Sequence, residues 1–497
     1  MPRSGYEAQI RKSLQQHPGQ TAIDFDGVLV TWSEVNAVAS AVERILDEAG
    51  LAEFEKVGLM GRNRPAHFAA LWGVFVSGRC LSMIHAFQPP AALASDIATI
   101  RLPIVLGERR DWTTGVVAAA DAVGTIGYAF TDDRMRPLAL VTRANTPGAQ
   151  TDRTTGDQIA LQLLSSGTTG KPKRISLSRL AVDEMIERTV SQFELVGQAA
   201  QTPQILPWPL SSLGGSNGAL PGIVLGQKLV IQEKFDAARM IELIRRYRPA
   251  FFSCAPTAIG MMLHLNPARE DFSSIKLFFS GSAPLAQTIR STLEEKYGVP
   301  VVEFYGATEF AGIVTGWTPN DLSLLTKKRG SVGRALPGMQ VRIVSSDTGN
   351  AVRPGETGIV EALVPRIGPE WTRTNDLGHV DEDGFLYLHG RSDDTILRGG
   401  LKVSPTEVAD ILRTHPDVGD AALIGIPDER LGQVPAAAIE KCAGRPAPTP
   451  QELEDFLRTK LPAYKIPARF AIVDEIPRTE SMKPRREGVL ALFSQKE

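Results

Sequence analysis

The N-terminal part of the chain alternates between short apolar runs and longer segments whose apolar positions recur every three or four residues. The short runs are typical of buried strands, and the longer spacing is typical of helices that bury one face. The predicted strands are Val57–Gly61, Cys80–Ile84 and Ile104–Leu106, preceded by a hairpin over Thr21–Trp32 that turns at Asp26-Gly27. The predicted helices are Pro2–Gln16, Trp32–Gly50 and Ala66–Ser77, and we expect Trp32 and Ser33 to cap the second of them.

The alternation continues through the middle of the chain and changes near its end. The helices predicted in the middle are Leu180–Phe193, Phe235–Arg246 and Thr257–Leu265, and the strands are Phe251–Cys254 and Ile275–Ser280. The elements predicted near the end are Thr406–His415, Ala421–Ile426, Val434–Ile439 and Gln451–Leu461. We therefore predict an α/β protein. A large N-terminal domain of several subdomains contains parallel sheets and helices, and a small C-terminal domain is α+β.

Composition narrows the class of protein without identifying a reaction. With 497 residues the chain is long enough for about two to four compact units, and 43% hydrophobic with 22% charged residues is ordinary for a globular enzyme. A net charge of −2 does not predict binding to nucleic acid or to a membrane surface. The scattered Cys80, Cys254 and Cys442 match neither a metal site nor a disulfide framework, and the N-terminus lacks the apolar core of a signal peptide. We expect a cytoplasmic protein.

The segment Ser165–Lys173, SSGTTGKPK, has the chemistry of a phosphate-binding loop. Between two apolar strands it concentrates four hydroxyl side chains, two glycines and two lysines in nine residues. Glycine lets the backbone approach an anion, successive N–H groups can enclose that anion, and the lysines supply positive charge. The triphosphatase consensus G-x-x-x-x-G-K-[ST] is not met, because Ser165 and Pro172 stand at its first and last positions. An ordinary surface loop is the alternative interpretation.

Two other segments carry residues suited to catalysis. Gly214–Gly218 matches G-x-S-x-G, the motif of a serine hydrolase with Ser216 as nucleophile, although its proline- and glycine-rich flanks do not fit the required strand, turn and helix. In the segment YGATE, the Thr308 hydroxyl suits a phosphate oxygen, the Glu309 carboxylate suits Mg²⁺, and Tyr305 can lie against a base. A simple helix cap is the alternative for Thr308 and Glu309.

Ser165–Lys173 resembles the signature loop of the adenylate-forming superfamily, which includes acyl-CoA synthetases, adenylation domains of peptide synthetases and luciferases. Further segments resemble motifs of that superfamily in the same order, and the resemblance covers essentially the whole chain. These segments are Tyr305–Glu309, Gly330–Gly338, Thr374–Asp376 with Gly390-Arg391, and Pro477–Arg486. The chain departs from the usual pattern at Ser211 and Ser212 in place of an aromatic residue and a histidine, at Asn375 and Met482 in place of glycines, and at Leu397 in place of a lysine.

The resemblance implies a reaction with ATP and Mg²⁺ in which a carboxylate forms an acyl adenylate and pyrophosphate, and the acyl group then passes to a second substrate. It implies that Lys483, Thr308 and Glu309 are catalytic, with Glu309 also holding Mg²⁺. It implies contacts with ATP or AMP at Ser165, Ser166, Gly167, Thr168, Thr169, Gly170, Lys171, Lys173, Gly281, Ser282, Ala283, Glu303, Phe304, Tyr305, Gly306, Asp376 and Arg391. It implies an acyl pocket at Trp208, Ser212, Gly215, Gly281, Gly306, Ala311 and Gly312. It further implies an N-terminal adenylation domain over residues 1–391 and a C-terminal lid over 392–497 that turns near the hinge Asp393.

The resemblance leaves the second substrate open. CoA is the commonest acceptor among stand-alone members, but Ser212 and Met482 weaken that inference. The chain also resembles the amide bond synthetases of the superfamily, in which a free amine attacks the adenylate directly. A carrier-protein thiol is a third alternative. A catalytically inactive nucleotide-binding protein is disfavoured, because Lys483, Glu309 and Asp376 are all present.

The acid is expected to be a small aromatic or medium-chain carboxylic acid. Trp208 and the small residues Gly281, Gly306 and Gly312 favour a slot that accepts a flat ring, although an aliphatic chain would also fit. The oligomeric state is left open.

Overall fold

The computed structural model describes residues 5–142, 151–153, 158–165, 173–195, 203–442, 444–479 and 482–494. These residues form a mixed α/β structure with a small α+β part at the C-terminal end, as predicted. The chain divides into two compact units. Among the described residues, the first comprises those within 5–165, 173–236 and 308–312, and the second comprises those within 237–307 and 313–494.

Helices alternate with strands in the first unit. Its strands are β1 (Thr21–Phe25), β2 (Val28–Thr31), β3 (Lys56–Gly61), β4 (Cys80–His85), β5 (Ile104–Glu108), β6 (Ile126–Phe130), β7 (Leu138–Leu140), β8 (Ile159–Ser165), β9 (Lys173–Ser178), β10 (Gln204–Leu206) and β11 (Leu229–Ile231). Its helices are α1 (Gly5–Gln15), α2 (Trp32–Glu48), α3 (Pro65–Val76), α4 (Pro90–Ile100), α5 (Thr114–Val123), α6 (Arg179–Leu195) and α7 (Leu213–Val224). One sheet has the order β7-β6-β5-β3-β4-β8-β9, with β3, β4, β5, β6 and β8 parallel. The loops that follow β3, β4 and β8 therefore start at one edge of this sheet, where α/β proteins commonly bind ligands.

Helix α2 begins after the capping residue Thr31, which the pattern of apolar positions does not identify. The Thr31 hydroxyl accepts a hydrogen bond from the Glu34 N–H at 3.4 Å, and the Glu34 carboxylate accepts one from the Thr31 N–H at 2.8 Å. This reciprocal capping box satisfies two backbone donors at the start of the helix. The prediction that Trp32 and Ser33 cap α2 is wrong, because both residues already lie in its first turn.

The second unit contains smaller sheets and shorter helices. Its strands are β12 (Phe251–Cys254), β13 (Leu277–Ser280), β14 (Val301–Glu303), β15 (Tyr305–Ala307), β16 (Gly312–Gly316, which begins in the first unit), β17 (Arg334–Ala335), β18 (Gln340–Val344), β19 (Gly358–Leu363), β20 (Trp371–Val380), β21 (Leu386–Arg391), β22 (Ile396–Arg398), β23 (Leu401–Val403), β24 (Val418–Asp428), β25 (Gly432–Lys441) and β26 (Arg469–Val473). Its helices are α8 (Ala237–Tyr247), α9 (Pro256–His264), α10 (Gln287–Ser291), α11 (Pro405–Leu412), α12 (Pro450–Arg458) and α13 (Arg486–Ser494).

Three sheets of the second unit contain or precede predicted site residues: β14 contains Glu303, β20 and β21 contain Asp376 and Arg391, and β26 precedes Lys483. Strands β12, β13 and β14 are parallel neighbours, and β18, β19, β20 and β21 form an antiparallel sheet. Near the C-terminus, β24 and β25 form a long hairpin, with β26 parallel to β25. Across the described ranges, no helix is both long enough and apolar enough to cross a membrane.

Candidate active site

The predicted phosphate loop joins two neighbouring antiparallel strands. Strand β8 ends at Ser165 and β9 begins at Lys173, and these residues pair with each other. The loop residues Ser166, Gly167, Thr168, Thr169, Gly170 and Lys171 lie outside the described residues. The half-buried Arg174 guanidinium donates to the Ser82 hydroxyl and to the Met83 carbonyl, both at 2.8 Å. These bonds tie β9 to β4.

The loop after β13 carries Gly281, Ser282 and Ala283. A Cβ atom at position 281 would collide with the Phe304 ring, so glycine allows that ring to rest on the loop. Ser282 has a φ of 72°, in the left-handed region that residues with a side chain rarely adopt. Strained backbone of this kind is concentrated at functional sites. Gly306 follows Phe304 by two residues and lies within β15.

Glu303 faces inward and supports this loop. Its carboxylate accepts a hydrogen bond from the Leu285 N–H at 2.9 Å and pairs with Arg290, which donates to the Val301 carbonyl at 2.8 Å. Burial raises the pKa of Glu303, although the Arg290 charge opposes this. The predicted contact between Glu303 and a nucleotide stays a prediction. Arg290 carries no sequence signal for its role beyond being a basic residue in a helix.

Three predicted nucleotide-binding residues meet in the second unit. The Tyr305 hydroxyl donates to Asp376 Oδ2 at 2.6 Å, and Arg391 Nη1 lies 3.4 Å from Asp376 Oδ1. Strands β20 and β21 set Asp376 directly opposite Arg391 in their register. Burial and the Asp376 charge raise the pKa of the Tyr305 phenol, so it remains a donor. The cluster combines an aromatic ring, a carboxylate and a guanidinium, which suits a ribose with an attached phosphate.

The predicted hinge residue, Asp393, is held by two side chains. Arg391 donates to both of its carboxylate oxygens at 2.9 Å, and Asn375 Nδ2 donates to Oδ2 at 3.0 Å. Glycine, the usual residue of the superfamily at position 375, has no side chain with which to make the second contact. This departure therefore adds a bond to the connection between β21 and β22.

Thr308 and Glu309 lie in a 3₁₀ turn of the first unit, Thr308–Phe310. Phe310 is buried, whereas Glu309 is exposed. The next residues, Ala311 and Gly312, have φ angles of 52° and 135°. The second of these angles is accessible mainly to glycine, so the chain turns sharply just after the exposed carboxylate.

The segment Pro207–Ser212, here called the pocket segment, leads from β10 into α7. Ser212 caps α7, since its hydroxyl accepts from the Gly215 N–H at 3.2 Å and donates to the Pro209 carbonyl at 2.7 Å. Gly215 packs on the backbone of the pocket segment, because a Cβ atom there would collide with the Pro209 carbonyl oxygen. Both residues shape the pocket segment, and their predicted contact with an acyl group stays a prediction.

Replacing Gly215 by alanine should disturb the pocket segment. The obstacle is a backbone carbonyl, which cannot rotate aside as a side chain can, so we expect the free energy of unfolding to fall by about 1–3 kcal/mol. Thermal unfolding measures the change, with Gly115→Ala as control, because an added Cβ at position 115 meets open space. Identical unfolding of Gly215→Ala and the unmodified protein would contradict the expectation.

The serine hydrolase alternative is contradicted by α7. Ser216 lies in the first turn of this helix, is 0% exposed, and donates its hydroxyl hydrogen bond to the Leu210 carbonyl at 3.2 Å. A nucleophilic serine of the G-x-S-x-G type stands exposed at a tight turn after a strand. Ser216 is therefore a packing residue.

Lys483 lies between β26 and α13, in the C-terminal part of the second unit. The Thr479 N–H donates to the Lys483 carbonyl at 2.8 Å, and the Met482 N–H donates to the Thr479 carbonyl at 2.9 Å. Met482, which replaces the usual glycine, has a φ of 64°. The turn therefore keeps the left-handed conformation for which glycine is preferred. Arg478 anchors it through acidic side chains of β24 and β25.

Two models of known protein families match this chain. The AMP-binding enzyme family matches residues 10–362, and the AMP-binding enzyme C-terminal domain matches residues 407–483. The chain is 28% identical to an indoleacetate–CoA ligase of Aromatoleum aromaticum, over 96% of both chains. The fold is similar to that of the anthranilate CoA ligase AuaEII in complex with anthranoyl-AMP, with a TM-score of 0.80, 23% identity, and coverage of 99% of this chain and 98% of that one.

A further similar structure is that of the amide bond synthetase McbA from Marinactinospora thermotolerans. Its TM-score is 0.75 at 26% identity, and the similarity covers 98% of this chain and 99% of that one. Because the AMP-binding family alone matches well over half of the residues, the chain belongs to the AMP-binding enzymes and is an adenylate-forming ligase.

Proposed function

We propose that the protein activates a small carboxylic acid as its adenylate and then transfers the acyl group to CoA. The hydrogen bond between Tyr305 and Asp376, on a carboxylate that Arg391 also approaches, carries the proposal. An adenosine nucleotide matches these groups, because its base can stack on the ring, its ribose hydroxyls can donate to the carboxylate, and its phosphates are anions.

In the first step an oxygen of the acid attacks the α-phosphorus of ATP, and pyrophosphate leaves with the electron pair of the broken P–O bond. Negative charge grows on the phosphoryl oxygens, so hydrogen-bond donors and cations held in place lower the barrier. We assign this role to the Lys483 ammonium, to the Thr308 hydroxyl and to the donors of Ser165–Lys173.

Glu309 fits Mg²⁺ as a single protein ligand. Its exposed carboxylate offers the hard oxygen that Mg²⁺ prefers. The described part of the chain holds no group of three or more His, Cys, Asp or Glu side chains around a common point. Mg²⁺ in nucleotide sites is commonly bound by one or two carboxylates and the substrate phosphates. When bound, the ion neutralises charge on those phosphates.

For the second step we propose that residues 392–497 turn about Asp393 relative to residues 1–391. Lys483 then leaves the phosphate side, and the CoA thiolate attacks the acyl carbon as the bond to AMP breaks. This rotation must break the contacts that Asp393 makes with Arg391 and Asn375 and replace them with others. The additional Asn375 contact therefore opposes departure from the orientation in which it forms.

A free amine is the second candidate acceptor, and Ser212 favours it. The Ser212 hydroxyl is occupied by the cap of α7 and supplies no positive charge. A thiol gains from nearby positive charge because only its thiolate is strongly nucleophilic, whereas a neutral amine is already reactive. The 26% identity to an amide bond synthetase points the same way.

We further propose an aromatic acid. Trp208 offers a flat face, and the names of two similar proteins specify indoleacetate and anthranilate. A medium-chain acid is the alternative.

The test is pyrophosphate release by the full chain with ATP, Mg²⁺ and a panel of aryl, arylacetic and medium-chain acids. We expect an aryl or arylacetic acid to react fastest, and fatty acids that outpace all of these would refute the aromatic preference. Mass spectrometry of parallel reactions with CoA or a simple amine then identifies the product. Acyl-CoA without amide supports CoA as acceptor, amide without acyl-CoA overturns it, and no pyrophosphate with any acid overturns the adenylation itself.

A further inference from the structure

We propose that Asn63 is a positioning residue for Trp208 and thereby sets which carboxylic acids the protein prefers. This inference rests on the proposed function, because it requires Trp208 to line the acyl pocket. Asn63 follows β3 and lies outside the motifs described above. It is only 8% exposed. A polar side chain at such a depth requires partners, and the identity of its partners indicates its role.

Both partners of the Asn63 amide are backbone groups of the pocket segment. Nδ2 donates to the Trp208 carbonyl at 3.1 Å, and Oδ1 accepts from the Leu210 N–H at 2.7 Å. The pocket segment forms no strand or helix until α7 begins, and Pro207 and Pro209 have no N–H group to donate. The Asn63 side-chain amide therefore takes the place of the backbone hydrogen bonds that a neighbouring strand would provide. These two bonds determine the position of the Trp208 backbone.

Asn63 can hold this position because the end of β3 is itself fixed. The adjacent Arg62 donates two hydrogen bonds to buried Asp111, at 2.5 and 3.1 Å. The Arg62 N–H donates to His67 Nδ1 at 3.3 Å, and His67 Nε2 lies 3.0 Å from Glu108. Arg62 and Asp111 are both less than one-tenth exposed, so the amide extends from a rigid support.

The position of the Trp208 ring follows from that of its backbone. The ring packs on Gly214, where an added Cβ atom would lie 3.0 Å from it. A displaced Trp208 carbonyl would shift the ring across the first turn of α7. Asn63 thus acts on the acid through Trp208, and its loss should change discrimination among acids more than the adenylation chemistry.

Asn63→Ala should raise the KM for the preferred aryl acid about tenfold, the size of effect expected when one or two buried hydrogen bonds are lost. The KM for ATP and kcat should each change by less than about twofold, because the nucleotide and the reacting atoms keep their contacts. The KM for a flexible aliphatic acid should rise less, so that the preference between the two acids narrows. Asn63→Asp retains an acceptor for Leu210 but sets an oxygen against the Trp208 carbonyl, and it should narrow the preference in the same direction.

The matched control is Asn217→Ala, which removes a side-chain hydrogen bond of 3.1 Å to Thr189 of α6 rather than a bond to the pocket segment. A readout independent of catalysis is acrylamide quenching of Trp208, taken as the difference between each protein and its version carrying Trp208→Phe. We expect quenching to increase in Asn63→Ala and to stay unchanged in the control.

Equal losses of kcat/KM for every acid, or unchanged quenching in Asn63→Ala, would overturn the role of Asn63. If the unmodified protein releases no pyrophosphate with any acid, the proposed function fails instead. The quenching measurement then still decides whether Asn63 holds Trp208.

Discussion

Lys483→Ala is expected to slow pyrophosphate release at least about a hundredfold, equivalent to about 2.7 kcal/mol of transition-state stabilisation. The proposed role of Lys483 is to meet charge that develops on the phosphoryl oxygens only as the P–O bond breaks. Interactions made only in the transition state lower kcat rather than substrate affinity when they are removed. The loss should therefore appear in kcat, with the KM for ATP changed little.

Two half-reactions separate this role from a general loss of activity. Pyrophosphate release reports the first step, and consumption of supplied acyl-AMP by the acceptor reports the second. We expect the second to survive in Lys483→Ala, and equal losses in both steps would refute the assignment. Lys441→Ala is the matched control, because it removes another lysine from the same C-terminal region. The Lys441 ammonium pairs with the exposed Asp474 carboxylate at 2.5 Å.

The sequence predicts the boundaries of a helix or strand most accurately where an apolar run marks the whole element. The predicted helix Ala66–Ser77 is shifted by one residue at each end from α3, Pro65–Val76, and predicted Cys80–Ile84 is one residue shorter than β4. Their apolar runs are continuous, so the boundaries show directly in the pattern. The cap of α2 is different, because Thr31 also ends β2 and only its hydrogen bonds with Glu34 identify it as a capping residue.

The order of motifs in the sequence predicts positions for the site, but it does not predict the contacts among them. Motif order assigns Tyr305 and Asp376 to one nucleotide, and the structure brings them within 2.6 Å. The groups that hold the surrounding loops are far apart in sequence, 147 residues for Asn63 with Leu210 and 58 for Arg478 with Asp420. Local periodicity cannot link such pairs, because they meet only when the whole unit has folded.

Arg478→Ala is expected to lower the free energy of unfolding by about 3–5 kcal/mol, the range measured when one partner of a buried ion pair is removed. The Arg478 side chain is 6% exposed, and its guanidinium lies 2.7 Å from Asp420 and 2.9 Å from Glu440. Glu440 also accepts from the Ile476 N–H at 2.9 Å, so the same acid holds the start of the turn that carries Lys483. Pyrophosphate release should therefore fall together with stability.

Urea unfolding of the full chain measures the stability change, and Arg458→Ala is its matched control. Arg458 pairs with Glu454 one helical turn away, and its side chain is 57% exposed. Such exposed pairs contribute less than about 0.5 kcal/mol. A comparable loss in both variants would show that burial of the Arg478 pair is not the cause.

The dependence on pH tests the electrostatic origin of this effect. Burial would raise the pKa of Asp420, but the charges of Arg413 and Arg478 outweigh burial and hold that pKa below its ordinary value. A carboxyl group with a lowered pKa stabilises the fold above its unfolded pKa, about 3.9, and this contribution disappears as pH falls through the folded pKa. The stability difference between the protein and Arg478→Ala should therefore be largest near neutral pH and shrink below about pH 4, because protonated Asp420 no longer requires a cation. A difference that stays constant between about pH 7 and about pH 3 would mean that Arg478 stabilises the turn by packing and not by charge.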